Sequence, residues 1–184
     1  MSIFTNSSVR SVEEASAYTT AILGLLGDRD PLEVLPRTAA AIRQLIADTP
    51  AGKLGTPEAD GKWSVRMVAQ HLADSELVWG WRLRMVLAQD RPAITGYDQD
   101  AWATRLRYDD VEIEHALGDF EHLRASNLRL LARMPEADRA RVGVHAERGE
   151  ESVAHMMRLY AGHDVLHIRQ IERIRASVAN RPAG

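Results

Sequence analysis

The sequence contains no cysteine. This absence excludes disulfide bonds, thiolate metal ligands and a cysteine nucleophile. It is consistent with a reducing cytoplasm, where disulfides are rare. Any thiol chemistry at this protein would therefore need a thiol that arrives as a cosubstrate.

Long apolar runs and an excess of basic residues are also missing. No apolar segment approaches the ~20 residues that span a bilayer, and residues 1–10 are polar, unlike a signal peptide. The net charge is −3, and no basic stripe offers the electrostatic surface that nucleic acids require. The sequence therefore predicts a cytoplasmic protein that binds neither a membrane nor nucleic acid.

The sequence has enough apolar residues for one folded domain. Of its 184 residues, 45% are hydrophobic and 27% are charged, which is typical of soluble globular proteins. No repeat, low-complexity tract or linker divides the chain. We therefore predict a single domain over residues 1–184, with flexible ends at 1–10 and 180–184.

The hydrophobic pattern is helical almost throughout. Asp30 and Ser64 stand where N-caps are expected, and a short extended piece is predicted at residues 141–144. Long helices joined by loops of intermediate length indicate an all-α fold, a four-helix bundle with short accessory helices. The predicted helices cover residues 11–26, 31–48, 63–89, 98–105, 110–134 and 150–179.

The most informative residues are His163 and His167, near the end of the last predicted helix. Their i, i+4 spacing places both imidazoles on one face, one turn apart, where two ring nitrogens can hold a divalent ion. His71 interrupts an apolar stripe on an earlier helix. If the two helices pack together, the three histidines form a metal site with an open position, as catalytic sites have.

A plainer interpretation stays open, in which each histidine is a core residue that hydrogen-bonds a carbonyl or an acid. Burying unpaired polar groups costs roughly 1–3 kcal/mol each, so His163, His167 and Gln170 on one buried stripe need a common reason. A shared metal ion is one such reason. The other histidines are less suitable, because they lie on charged helix faces, in a loop, or too far along the helix; they are His115, His122, His145 and His155.

Several polar residues near the histidines are candidate catalytic groups. Tyr160 precedes His163 by almost one turn and has a proton to donate, and Gln170 follows His167 and can orient a ligand. Asp98, together with Trp102, lies in a segment that can cover the end of the bundle. Further candidates are acids that can accept hydrogen bonds from ligand N–H groups, namely Asp74 and Asp164.

Four segments of the sequence resemble the DinB-like (DinB/YfiT) superfamily, and they occur in that family's order. Residues 61–76 (GKWSVRMVAQHLADSE) resemble the entry to its second helix, and residues 162–171 (GHDVLHIRQI) resemble its final helix. Residues 91–103 (RPAITGYDQDAWA) and 145–152 (HAERGEES) are similar to segments that lie between those helices in many members. The resemblance extends over about residues 15–175.

The resemblance implies a four-helix bundle, frequent homodimers and one divalent ion, usually nickel or zinc, on three histidines. Matched by position, these metal ligands are His71, His163 and His167. Some members are transferases or isomerases that use a low-molecular-weight thiol, and others are labelled metal-dependent hydrolases. Homodimerisation is also suggested by helix 63–89, which is apolar around much of its circumference.

An ion on three neutral imidazoles keeps its +2 charge, which would lower the pKa of a bound water to near ~7 or stabilise a bound thiolate. The leading prediction is a metal-dependent hydrolase acting on a small-molecule substrate. One alternative is an S-transferase that uses a low-molecular-weight thiol cosubstrate. Another is a metal-binding or regulatory dimer without catalysis, in which the histidines hold structure.

Overall fold

The structure is a computed structural model, and it describes residues 12–179. The predicted flexible ends at 1–10 and 180–184 lie outside the described residues, and the single-domain assignment stays a prediction. The described residues form six α-helices, close to the predicted ones. They are α1 Val12–Leu26, α2 Pro31–Ala47, α3 Val65–Ala88, α4 Gln99–Arg105, α5 Ile113–Arg133 and α6 Val153–Ala179.

Four of these helices form the predicted four-helix bundle. Helix α3 packs against α5 and α6, and α2 packs against the same two helices, so the four close a ring around a common core. Helix α1 packs on the outside of α6. The two helices approach each other closely at Gly162, where an added Cβ would lie 2.4 Å from the carbonyl oxygen of Ile22. Only glycine fits there, directly before His163.

The core of the bundle consists of two apolar clusters. One is built around Leu72, Phe120 and Ile171, and the other around Trp79 and Met156. Between them, the buried residues are largely polar or charged, and these come from α3, α5 and α6. They are His71, Ser75, Glu76, Arg124, Asn127, Asp164 and His167.

The predicted helix starts are confirmed where a short polar side chain precedes the helix. Asp30 accepts a hydrogen bond from the backbone N–H of Leu32, and Ser64 accepts one from Met67. Each bond satisfies an N–H group that has no partner within its own helix. Asp98 caps α4 in the same way, accepting from Asp100 and Ala101.

A small sheet replaces parts of the predicted loops and one helix start. Its strands are β1 Ala93–Ile94, β2 Val142–His145 and β3 Gly149–Ser152, with β1 parallel and β3 antiparallel to β2. The predicted extended piece at 141–144 is therefore confirmed within one residue. The start of the last helix at residue 150 is wrong, because Glu150 and Glu151 pair with β2. The hairpin turn uses Gly149 at φ +75°, which glycine adopts without strain.

Among residues 12–179, no helix combines the length and the hydropathy that a bilayer crossing requires. In the longest helices, α3 and α6, charged and polar side chains that face the interior of the bundle interrupt the apolar surface. Their lengths, 24 and 27 residues, serve the bundle, because they bring histidines from distant parts of the sequence to the same level.

Candidate metal centre

The three predicted histidines meet at the polar level of the bundle. His71 Nε2 lies 3.2 Å from His163 Nε2, and His163 Nε2 lies 3.0 Å from His167 Nε2. His71 and His167 are buried, and His163 is partly exposed. Packing of α3 against α6 therefore brings together residues that are 92 positions apart in the sequence.

This spacing suits one divalent ion. Imidazole nitrogens bind zinc at ~2.0–2.1 Å, so two ligands of a tetrahedral ion lie roughly 3.3 Å apart. Three imidazole lone pairs that point at one place repel one another when no cation lies between them. An ion accepts all three lone pairs at once, so these donors fit a divalent metal.

The histidines are held in the form that binds metal. Burial lowers the pKa of His71 and of His163 well below the ordinary value, and the neighbouring His167 lowers both further. Burial also lowers the pKa of His167 to about 4, although its hydrogen bond to Gln170 opposes the shift. All three rings are thus neutral at pH 7, with lone pairs available for a cation.

Gln170 orients one of the rings. Its side-chain Oε1 lies 2.7 Å from His167 Nδ1, and an amide oxygen can only accept, so Nδ1 carries the proton and Nε2 presents its lone pair to the cluster. Of the three catalytic candidates, Gln170 therefore acts through a histidine. His71 Nδ1, by contrast, is buried without a hydrogen-bond partner among residues 12–179.

Two hydroxyl groups extend from the cluster. Ser75 Oγ lies 3.3 Å from His71 Nε2 and 2.9 Å from the hydroxyl of Tyr97. Burial raises the pKa of Tyr97 above its ordinary value, so its phenol stays protonated. Neither residue is among the site residues predicted from the sequence. The i, i+4 spacing of Ser75 from His71 was the signal that could have found the first of them.

Tyr160, the second catalytic candidate, lies beside the cluster. Its ring is 5.9 Å from that of His163 and stacks on Trp79 at 4.4 Å. Its hydroxyl donates to the backbone carbonyl of Ser75 at 2.6 Å, and burial raises its pKa well above the ordinary value. Tyr160 is therefore placed as a neutral group whose proton is already engaged.

A small cavity of about 90 Å³ opens next to His71 and His163. It is partly open to solvent, and aromatic rings, hydroxyls and charged side chains line it. The charged residues are Arg82, Arg148 and Glu151. An open cavity beside the cluster leaves space for a ligand at the fourth coordination position.

A larger cavity of about 690 Å³ borders the cluster at His167. Its lining includes Trp63 and Gln170, and its charged residues are Glu58, Lys62, Asp100 and Arg173. The buried side chain of Gln99 lines both cavities. The three histidines thus lie where two separate cavities meet.

The remaining candidates lie elsewhere. Asp98 caps α4, and Trp102 packs on Tyr97 with ring centroids 4.5 Å apart; neither lines the two cavities. Asp74 accepts hydrogen bonds from Gln70 and from the hydroxyl of Tyr108. These residues therefore support the walls of the site rather than the histidine rings.

Asp164 belongs to an ionic cluster that the sequence analysis missed. Arg124 on α5 donates to Asp164 at 2.6 and 2.9 Å, to Glu76 at 2.9 and 3.0 Å, and to the carbonyl of Leu35 at 2.8 Å. Asn127 donates to the second oxygen of Glu76 at 2.8 Å. Arg124 therefore joins all four helices of the bundle. The sequence signal that could have indicated this cluster is the i, i+3 spacing of Arg124 and Asn127 among the apolar residues of α5.

Comparisons with known proteins agree with the geometry of the site. A family model described as the DinB superfamily matches residues 35–171. A relative from Oceanobacillus iheyensis, named "Putative metal-dependent hydrolase", is 31% identical over 76% of this chain and 79% of its own length. A second one from Bacillus licheniformis, with the same description, is 33% identical over 71% of this chain and 75% of its own length.

A solved structure extends the comparison to the fold. It is YfiT from Bacillus subtilis, described as a probable metal-dependent hydrolase with an unusual four-helix bundle topology. It superposes with a TM-score of 0.71 over 92% of each chain at 24% sequence identity. At that identity the likeness concerns the fold, and it agrees with the ring of α2, α3, α5 and α6.

Proposed function

This chain belongs to the DinB superfamily, and from that premise we propose that it is a metal-dependent hydrolase whose divalent ion is held by His71, His163 and His167. The observation that carries the proposal is the convergence of the three Nε2 atoms, in which His163 Nε2 lies 3.2 Å from that of His71 and 3.0 Å from that of His167. The metal-dependent names of the relatives support a divalent ion. Nickel and zinc are the proposed metals, since both accept imidazole ligands.

When bound, such an ion supplies a Lewis acid and a water of lowered pKa for attack on an acyl or similar centre. The residues of the chain do the rest. Gln170 holds His167 in the tautomer that presents Nε2, and Ser75 and Tyr97 offer hydroxyl groups at the edge of the cluster. The small cavity is the proposed position of the substrate.

Metal content tests the proposal first. Protein purified without an affinity tag is compared with a His71→Ala/His163→Ala variant and with His115→Ala, whose histidine is exposed on α5. We expect near-stoichiometric nickel or zinc, by inductively coupled plasma mass spectrometry, in the wild type and in His115→Ala only. A folded wild type that takes up neither metal after incubation with excess ion contradicts the proposal.

Hydrolysis needs its own assay, because a metal site alone does not define a reaction. A panel of carboxylic esters and amides is incubated with metal-loaded protein and no added thiol. We expect turnover that the double histidine variant loses and that His115→Ala keeps. If turnover requires a low-molecular-weight thiol and forms a thioether, the hydrolase proposal fails and the transferase described next replaces it.

A thiol-dependent S-transferase is the second candidate, and the two cavities favour it. Hydrolysis needs one organic substrate and water, whereas transfer needs space for two organic substrates. The larger cavity at His167 has that space, with Trp63 in its wall. A dimer that binds metal for regulation without catalysis is the third candidate, and an open cavity next to the histidines argues against it.

We also propose that the protein is a cytoplasmic homodimer. The observation that supports a dimer is the exposure of Leu77 and Trp81, one turn apart on α3, at 53% and 64%. Apolar side chains this exposed are often covered by a partner. Light scattering coupled to size-exclusion chromatography tests this, with Trp81→Glu expected to give a monomer and Leu106→Glu, exposed just after α4, as the control. A wild-type monomer contradicts it.

A further inference from the structure

Arg82 is a cationic side chain of the small cavity that has no carboxylate partner among residues 12–179. Its guanidinium donates to the backbone carbonyl of Thr95 at 2.5 Å and lies 6.0 Å from the centre of the Tyr97 ring. Arg148, which lines the same cavity, is instead bound by Glu151 through two hydrogen bonds of 2.5 and 3.0 Å. The charge of Arg82 is therefore not compensated by a neighbouring acid.

The position of Arg82 directs this charge towards the histidines. It lies 11 residues after His71 on α3, which is three helical turns, so the two residues share a face of the helix. Side chains in a helix tilt towards its N-terminus, and for Arg82 this direction leads towards Ser75 and His71. The Tyr97 ring lines the interval, since it lies near the guanidinium and its hydroxyl is 2.9 Å from Ser75 Oγ.

The cavity therefore carries an excess of positive charge even before a metal ion is counted. Arg148 and Glu151 compensate each other through two hydrogen bonds, which leaves the charge of Arg82 in excess. A neutral ligand would leave Arg82 uncompensated, whereas an anion would balance it. The planar fork of a guanidinium matches a carboxylate through two parallel hydrogen bonds.

We propose that Arg82 binds the carboxylate group of the substrate in the small cavity, which places the rest of the substrate at the three histidines. This inference rests on the proposed function, because it assigns a substrate class to the same site. The volume of about 90 Å³ favours a short carboxylic acid, with the carboxylate at one end and the reacting group at the other. Arg82 is then a specificity-determining residue.

Ligand binding tests the inference without any assay of activity. The probes are 4,4,4-trifluorobutyrate and its neutral amide, which are similar in size and shape, and both are titrated by fluorine NMR at pH 7. Each titration is done with metal-loaded and with metal-free protein, since a carboxylate also binds directly to an ion. The variants are Arg82→Gln, Arg82→Lys and Arg129→Gln, the last removing an exposed arginine on α5.

We expect the wild type and Arg129→Gln to bind the carboxylate more tightly than the amide, in both metal states. Arg82→Gln should weaken carboxylate binding by at least about tenfold, the usual effect of losing a charged hydrogen-bond partner. The carboxylate affinity of Arg82→Lys should lie between those of the wild type and Arg82→Gln, because lysine keeps the charge but cannot form two parallel hydrogen bonds. Circular dichroism checks that each variant is folded.

The inference is overturned if Arg82→Gln binds the carboxylate as the wild type does, if the amide binds equally well, or if neither probe binds. Metal content, measured on the same samples, separates this failure from failure of the proposed function. A wild type without metal that still needs Arg82 for carboxylate binding refutes the metalloenzyme and keeps the anion subsite. If the metal content of the wild type is as expected and Arg82→Gln does not change carboxylate binding, only the carboxylate subsite is refuted.

Discussion

Two buried polar clusters lie next to each other between the apolar cores of the bundle, and they differ in how their charges are balanced. In the ionic cluster, Arg124 is bound by Glu76 and Asp164, and each polar group of the arginine has a partner. In the histidine cluster, the rings are neutral and their Nε2 atoms face one another. The first cluster is complete without a ligand, whereas the second needs a cation.

The two clusters are linked through the sequence of α6, where Asp164 directly follows His163. The side chain of Asp164 turns to Arg124, and that of His163 turns to the metal centre. The ionic cluster that joins the helices and the histidine cluster that suits a metal ion therefore lie in adjacent layers of the bundle. Burial raises the pKa of Glu76, and the hydrogen bonds from Arg124 and Asn127 oppose this shift.

The largest expected effect is the destabilisation caused by Arg124→Met. The substitution leaves Glu76 and Asp164 buried without a counter-charge, which costs about 3–5 kcal/mol of unfolding free energy. Urea denaturation measures the loss, with Arg129→Met on the exposed face of α5 as the control. A loss below about 1 kcal/mol, in the range of ordinary surface substitutions, would show that the ionic cluster does not hold the four helices.

The next effect concerns the histidine cluster, which should stabilise the fold only when an ion is bound. An ion at about 1,000 times its dissociation constant adds about 4 kcal/mol to the stability of the wild type. The His71→Ala/His163→Ala variant should gain nothing from zinc or nickel, and His115→Ala should gain as much as the wild type. Thermal denaturation with and without ion makes the measurement; an equal gain in the double variant contradicts it.

Acidification should destabilise the metal-free protein through His167. Its pKa is lowered to about 4 in the folded state, whereas an unfolded histidine titrates near ~6.5. The unfolded state therefore takes up a proton first, so the contribution is present above pH 6.5 and is lost as the pH falls to about 4. Linkage sets the loss at roughly 3 kcal/mol.

The measurement for this prediction is the unfolding free energy of metal-free protein between pH 4 and pH 7, by urea denaturation. His167→Leu, which does not titrate and is similar in size, should have a flatter dependence on pH than the wild type. His122→Leu, from an exposed position on α5, should keep the wild-type dependence. Equal slopes for the wild type and His167→Leu would contradict the assignment.

The smallest expected effect is that of Gln170→Ala on metal affinity. Losing the group that fixes the tautomer of His167 should weaken binding by about tenfold, the lower end for residues that orient metal ligands. Competition with a chromophoric chelator measures the affinity. Gln170→Glu keeps an acceptor for His167 Nδ1 and should retain the metal affinity. Equal losses of affinity in both variants would contradict a role of this hydrogen bond in orienting His167.

Much of the fold could be predicted from the sequence because its signals are local. The capping residues Asp30 and Ser64 and the apolar stripes gave helix positions within a few residues. The error at the start of α6 arose where a local pattern competes with tertiary contacts. Acids at residues 150 and 151 suit a helix N-terminus, yet pairing with β2 places them in a strand.

The histidine cluster was predictable only in part. His163 and His167 share a helix, so their spacing alone places them together. His71 could be added because it interrupts a buried stripe, and because its surroundings resemble those of the family motif. Tyr97 could not be assigned in this way, since its relation to the site depends on how the segment before α4 folds back over α3.

The sequence by itself determined the helical segments, the absence of thiol ligands and the pair of histidines on α6, because these follow from periodicity and composition. Only the tertiary structure decided that Arg124 meets acids from two other helices, that His71 completes the cluster, and that cavities open on two sides of it. These features depend on the packing of helices whose contacts join residues 40 to 92 positions apart. Local patterns carry no information about which helix faces meet, and those contacts place the charges.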